Sequence, residues 1–101
     1  MGAARILIAE DEHGISSFLE NGLRAAGFTT TIVEDGSSAL ALARTGQFDL
    51  LVLDLGLPTR DGLSVLEELR MEGKRLPVVV LTARSDLEDM VAGLEDRKSV
   101  V

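Results

Sequence analysis

At 101 residues the chain has room for one domain with a modest core and none for a second. Its net charge of -7, with no basic run, argues against this segment binding nucleic acid or an anionic membrane directly. The lack of cysteine excludes a disulfide framework and a thiolate metal centre, and suits a reducing compartment.

The first apolar run, RILIA (Arg5–Ala9), has strand length. It is too short for a signal or membrane-spanning segment and stops abruptly at Glu10 and Asp11. The opening MGAARI lacks the Ser or Thr of a myristoylation signal, so the expectation is a soluble, cytoplasmic protein. Next, Ile15, Phe18, Leu19, Leu23 and Ala26 recur at helical spacing, and Gly27 predicts the stop. His13, at the head of that helix, reads as a surface residue of its first turn.

TTTIV (Thr29–Val33) is a β-rich but partly polar run, the pattern of an edge strand. A second helical stripe, Ala39, Leu40, Leu42 and Ala43, runs to Gly46. LLVL (residues 50–53) is apolar on both faces and meets a carboxylate at Asp54. An ionised Asp at the end of such a run needs either the open mouth of a sheet or a cationic partner. Asp61 and Gly62 read as a turn and helix start, followed by Leu63, Leu66 and Leu69 up to Gly73. PVVVLT (residues 77–82) predicts a fourth strand. SDLE (residues 85–88) is a capping-box pattern opening a last helix with Leu87, Met90, Val91 and Leu94 inward.

Strand and helix thus alternate four times, which predicts an α/β fold: an open, doubly wound parallel sheet covered on both faces. All strand C-termini of such a sheet lie on one edge, where ligands bind. Glu10, Asp11 and Asp54 converge there, joined by Thr82 at the end of the fourth strand. Any one of these acids alone is ordinary solvated surface; three together demand a cation, and a hard oxygen-liganded dication such as Mg²⁺ is the natural one. A carboxylate beside Mg²⁺ can act as a nucleophile toward a phosphoryl group, with the Thr82 hydroxyl and the Ala83 N–H as candidate donors.

At this point the motifs resemble the receiver domains of two-component response regulators. ILIAEDE is similar to their acidic pair, LVLDLGLPTRDGLSVLEELR to the phosphoacceptor strand and loop, and PVVVLTAR to the fourth strand with its switch Thr. The middle motif most resembles regulators that carry a winged-helix DNA-binding effector. The resemblance implies a flavodoxin-like fold, here four βα units in strand order 2-1-3-4. It makes Asp54 the phosphorylated residue, with Mg²⁺ held by Glu10, Asp11, Asp54 and the Gly56 backbone carbonyl. It makes Thr82 the hydroxyl that turns toward the phosphoryl group, and Ala83 a backbone N–H donor. A sensor histidine kinase is the implied donor, a C-terminal DNA-binding domain the implied effector, and the role that of a signalling switch, not of a conventional enzyme.

The sequence also departs from the family. Receivers carry a fifth strand ending in a phosphate-pairing Lys, then a fifth helix; neither can be placed here, and Lys98 follows no strand. That keeps open a second reading, a pseudo-receiver or interaction module without the phosphate cycle. A Mg²⁺-dependent phosphohydrolase with an aspartyl nucleophile is disfavoured, because Gly56 stands where its second carboxylate belongs. The last six residues, DRKSVV (96–101), look like a translated sequencing adapter. The expected organisation is therefore a receiver over residues 1–95, lacking its fifth strand and helix, with a non-native tail over 96–101. Lacking that cover, the apolar fourth strand is expected to be an association-prone edge.

Overall fold

The computed structural model describes residues 2–81, as seven elements in strict alternation: β1 (Arg5–Ala9), α1 (His13–Ala25), β2 (Thr29–Val33), α2 (Gly36–Ala43), β3 (Leu50–Asp54), α3 (Gly62–Met71) and β4 (Val78–Leu81). The expected last helix, with Leu87, Met90, Val91 and Leu94, and the tail at 96–101 lie outside the described residues.

The four strands form one parallel sheet in the order β2-β1-β3-β4. β1 is central, pairing Ile8 with Ile32 on one side and with Val52 on the other. Its buried residues Ile6, Leu7, Ile8 and Ala9 are apolar on both faces, as a strand between helix layers requires. Among the described residues β2 pairs with β1 alone, and its threonines are compatible with that edge position. Among the described residues, β4 pairs with β3 only, with Val78 buried and Val79 to Leu81 half-buried.

Period-two alternation divides the core between the faces. Leu7, Ala9, Leu51, Leu53 and Val78 pack with Ala39, Leu40 and Ala43 of α2 and with Val65 and Leu69 of α3. Ile6, Ile8 and Val52 pack on the other side with Leu19 and Leu23 of α1. Arg44 at the end of α2 joins the helices of the larger face, holding Glu72 in a bidentate pair at 2.6 Å and reaching Glu68 at 3.5 Å.

The α1 stripe is narrower than its sequence period predicts. Leu19 and Leu23 face the sheet, whereas Phe18 is 76% exposed, Ile15 is 44% exposed, and Ala26 is the exposed C-cap. Among the described residues α1 is the one helix on this face and meets it through the Leu19 and Leu23 row, so the flanking apolar positions are left exposed. Leu63 likewise sits outside, 52% exposed, while Val65, absent from the predicted stripe, is fully buried. No helix among the described residues is long and apolar enough to cross a membrane.

Candidate metal and phosphoacceptor site

Parallel pairing brings the acids together. Ala9 lies opposite Leu53 and Asp54 opposite Leu81, so the residues that end β1 and β3 share one edge of the sheet. Glu10 is pinned by its own N–H, which donates to the Val33 carbonyl at 3.0 Å and keeps the residue at the mouth between β1 and β2. Carboxylate oxygens of Glu10, Asp11 and Asp54 lie within 4.8 Å of one another, with Glu10 buried, Asp54 half-buried and Asp11 exposed. The structure thus brings together the three acids that the sequence reading expected on this edge.

Glu10 is the electrostatically costly member, only 3% exposed. Burial above all lifts its carboxyl above the usual carboxylate range, and the neighbouring charges of Asp54 and Asp11 push the same way. The Glu12 N–H, donating to Glu10 Oε2 at 2.9 Å, acts in the opposite sense. Among the described residues no Lys or Arg forms an ion pair with any of the three acids. A buried acid among acids, with no cation of the described residues paired to it, is a donor set suited to a hard divalent ion, and oxygen-only ligands at this spacing match Mg²⁺ or a close relative.

The flanking helices are set by capping. Glu12 is the N-cap of α1, its side chain accepting from the Gly14 N–H at 3.0 Å, so of three successive acids two join the cluster and the third caps the helix. His13 stands in the first turn of α1, exposed, with Nε2 3.0 Å from Glu34 Oε2. Asp61 caps α3 by accepting from the Ser64 N–H at 2.8 Å, in agreement with the expected turn and helix start. Gly62 follows, packed so closely that an added Cβ would collide with the Asp54 carbonyl oxygen and stand 2.8 Å from Leu55 Cα. Its N–H donates to the Leu55 carbonyl at 2.9 Å.

Between Asp54 and Asp61 the chain makes a tight excursion over the site. The Gly56 N–H donates to Asp54 Oδ1 at 3.3 Å, and Gly56 itself is exposed. Leu57 turns inward and is buried in the larger core. Thr82 and Ala83, the other expected site residues, lie outside the described residues. Two features escaped the sequence reading. One is the role of Glu12, which its position before HGIS at a helix start could have revealed. The other is a side-chain tie from Thr59 to Asp35, two residues 24 apart whose pairing no local pattern signals.

A doubly wound parallel sheet binds its ligands at the carboxyl ends of its strands, and an acidic triad at the ends of the first and third is an arrangement shared by the phosphoacceptor switch domains of signalling proteins. The sequence model of the response regulator receiver domain matches residues 6–99, and the chain belongs to that family. It is 48% identical over 91 residues to the response regulator protein PmrA of Pseudomonas aeruginosa, and 50% identical over 91 residues to the transcriptional activator protein IrlR of Burkholderia pseudomallei. Each alignment takes in 90% of this chain but only 41% and 39% of those proteins, so the chain spans about two fifths of their length. Among solved structures it is similar to the receiver domain of the sensor histidine kinase PA1611 from Pseudomonas aeruginosa, solved with a magnesium ion in its active-site cleft. The TM-score is 0.78 and the identity 31%, over 95% of this chain and 76% of that one.

Proposed function

We propose that Asp54 is the phosphoacceptor of this two-component receiver domain and that Glu10, Asp11 and Asp54, with the Gly56 backbone carbonyl, hold Mg²⁺ there. The observation that carries the reading is the convergence of three carboxylates, one buried, on the edge of the sheet where Asp54 ends β3. The magnesium ion in the PA1611 receiver supports the choice of metal. Bound there, the cation supplies charge neutralisation for the equatorial oxygens of a transferring phosphoryl group.

The chain's own residues do the rest. An Asp54 carboxylate oxygen attacks phosphorus in line, forming an O–P bond as the N–P bond of a donor phosphohistidine breaks. Half-burial of Asp54, with one oxygen held by the Gly56 N–H, orients the attacking oxygen and limits competing water. Thr82 and the Ala83 N–H are assigned to the phosphoryl oxygens, the first as the switch hydroxyl.

The donor in the cell is a sensor histidine kinase. The name of IrlR, a transcriptional activator, supports a DNA-binding effector in the parent protein. The chain works in the cytoplasm, as a switch with intrinsic phosphotransfer chemistry and not as a conventional enzyme.

The test is Mg²⁺-dependent phosphorylation by acetyl phosphate, read by intact mass, with Asp54→Asn as control. One added phosphoryl group in the parent and none in the variant is expected. An unmodified parent, shown folded by circular dichroism, would overturn the assignment.

A further inference from the structure

The excursion from Asp54 to Asp61 is fastened from outside itself. Pro58 offers its carbonyl to the Gly36 N–H at 3.0 Å and to the Arg60 N–H at 2.7 Å. The Thr59 hydroxyl donates to Asp35 Oδ2 at 2.9 Å and accepts from the Ser37 N–H at 3.2 Å. The same Asp35 oxygen accepts from the Ser38 N–H at 3.3 Å, which makes Asp35 the N-cap of α2 as well as the anchor of the excursion. Gly36 completes the seat, because a Cβ there would run into the Arg60 carbonyl.

Thr59 holds a φ of 65°, the one non-glycine residue with positive φ among those described. A β-branched side chain is disfavoured there and stays only where its surroundings over-determine it. The surroundings that do so are the two hydrogen bonds of its hydroxyl. Hydrogen bonds from Ser38 and then Thr59 also hold the Asp35 carboxyl below its ordinary range, so the acceptor is ionised and strong at neutral pH.

We propose that Thr59 and Asp35 form a latch between the β3–α3 segment and the head of α2, and that this latch positions Gly56 for metal binding and phosphoryl acceptance at Asp54. Thr59 touches neither the acids nor the reacting atoms; it is a positioning residue. Gly56 lies between Asp54 and the fastened stretch 58–60, so its carbonyl stays where that stretch is held. The proposal rests on the reading of the site as a Mg²⁺-dependent phosphoacceptor.

Two variants cut the latch without removing the helix cap or the packing. Thr59→Val keeps the shape and deletes the hydroxyl. Asp35→Ser keeps a capping oxygen but is too short to reach Thr59. Thr59→Ser retains the hydroxyl and is the rescue control. Amide hydrogen exchange at Gly36, Ser37 and Arg60 reads the latch itself, and titration calorimetry with Mg²⁺ alone reads its consequence. Both are done on the full chain.

In Thr59→Val and Asp35→Ser, exchange at those three amides is expected to rise about tenfold with the amides of β1 and β3 unchanged. The Mg²⁺ dissociation constant is expected to rise about fivefold, and Thr59→Ser to match the parent in both. Parent-like exchange in Thr59→Val would overturn the latch. Faster exchange with unchanged Mg²⁺ affinity would overturn its positioning role. A parent chain that takes up neither Mg²⁺ nor phosphoryl would remove the reading of the site, and the positioning role with it; that failure is seen in the parent, not in the variants.

Discussion

Replacing Gly62 by alanine sets two effects of opposite sign against each other. Alanine in place of glycine at a helical position normally stabilises, by roughly 0.5–1 kcal/mol in a helix interior, because it removes freedom from the unfolded chain. At Gly62 the new methyl has nowhere to go: it would collide with the Asp54 carbonyl oxygen and stand 2.8 Å from Leu55 Cα and 3.0 Å from the Asp54 carbonyl carbon. All of these are backbone atoms at the end of a central strand, so relief requires α3 and β3 to part by roughly an ångström. Overpacking of this kind costs about 1–3 kcal/mol, which exceeds the propensity gain. The net loss, centred on about 1 kcal/mol, lowers Tm by roughly 4–8 °C in a domain this small.

Gly22 supplies the contrast. It lies within α1, exposed, and a Cβ there meets nothing within 4 Å, so Gly22→Ala is expected to raise stability by about 0.5–1 kcal/mol. Thermal and urea unfolding of both variants beside the parent make the assay. Gly62→Ala as stable as the parent would refute the steric reasoning, because the only effect left at that site is the favourable one.

The buried acid predicts an unusual linkage. Because the folded-state affinity of Glu10 for its proton is raised, its contribution to stability is full below the ordinary Glu range and is lost as pH rises through its raised value. Glu10→Gln is therefore expected to raise the Tm of the Mg²⁺-free chain at pH 7, to leave it unchanged at pH 4, and to lose that advantage in millimolar Mg²⁺; a lower Tm than the parent in EDTA at pH 7 would count against it. Leu69, fully buried in the larger core, is expected to cost about 2–5 kcal/mol on Leu69→Ala, measured by urea unfolding. Phe18→Ser should change stability by no more than about 0.5 kcal/mol, since that ring is 76% exposed, and a larger loss would show that the ring is packed in solution.

The acid triad was legible in the sequence because it depends on strand ends alone. Once RILIA and LLVL are parallel strands, Glu10, Asp11 and Asp54 must share an edge, whatever the helices do. The strand order was legible in part through TTTIV, whose threonines suit an edge. Side-chain exposure on the helices was less so. A helical period marks an apolar face but not its width, and width depends on how much sheet lies beneath; Leu19 and Leu23 find β1 and β2, while Ile15 and Phe18 do not. The tie between Thr59 and Asp35 was not legible at all. It is made by two ordinary surface residues, and the positive φ that gives it meaning falls on a threonine, where sequence rules look for glycine or asparagine.

The central place of β1 bears on how the chain acquires its structure. Closing β1 on β2 joins residues such as Arg5 and Thr29, which are near in sequence, whereas closing it on β3 spans a separation like the 44 residues between Arg5 and Asp49. The longer loop costs only about 0.5 kcal/mol more in chain entropy, too little to make it a barrier of its own. The first βαβ unit nevertheless leaves the ribosome before its second neighbour exists, and it already contains Glu10 and Asp11. Two of the three members of the acidic cluster are thus fixed early, and Asp54 arrives with β3 to complete it. Substitutions in Ile8 should then slow refolding, while those in Val78 should chiefly speed unfolding, a division that stopped-flow kinetics can read directly.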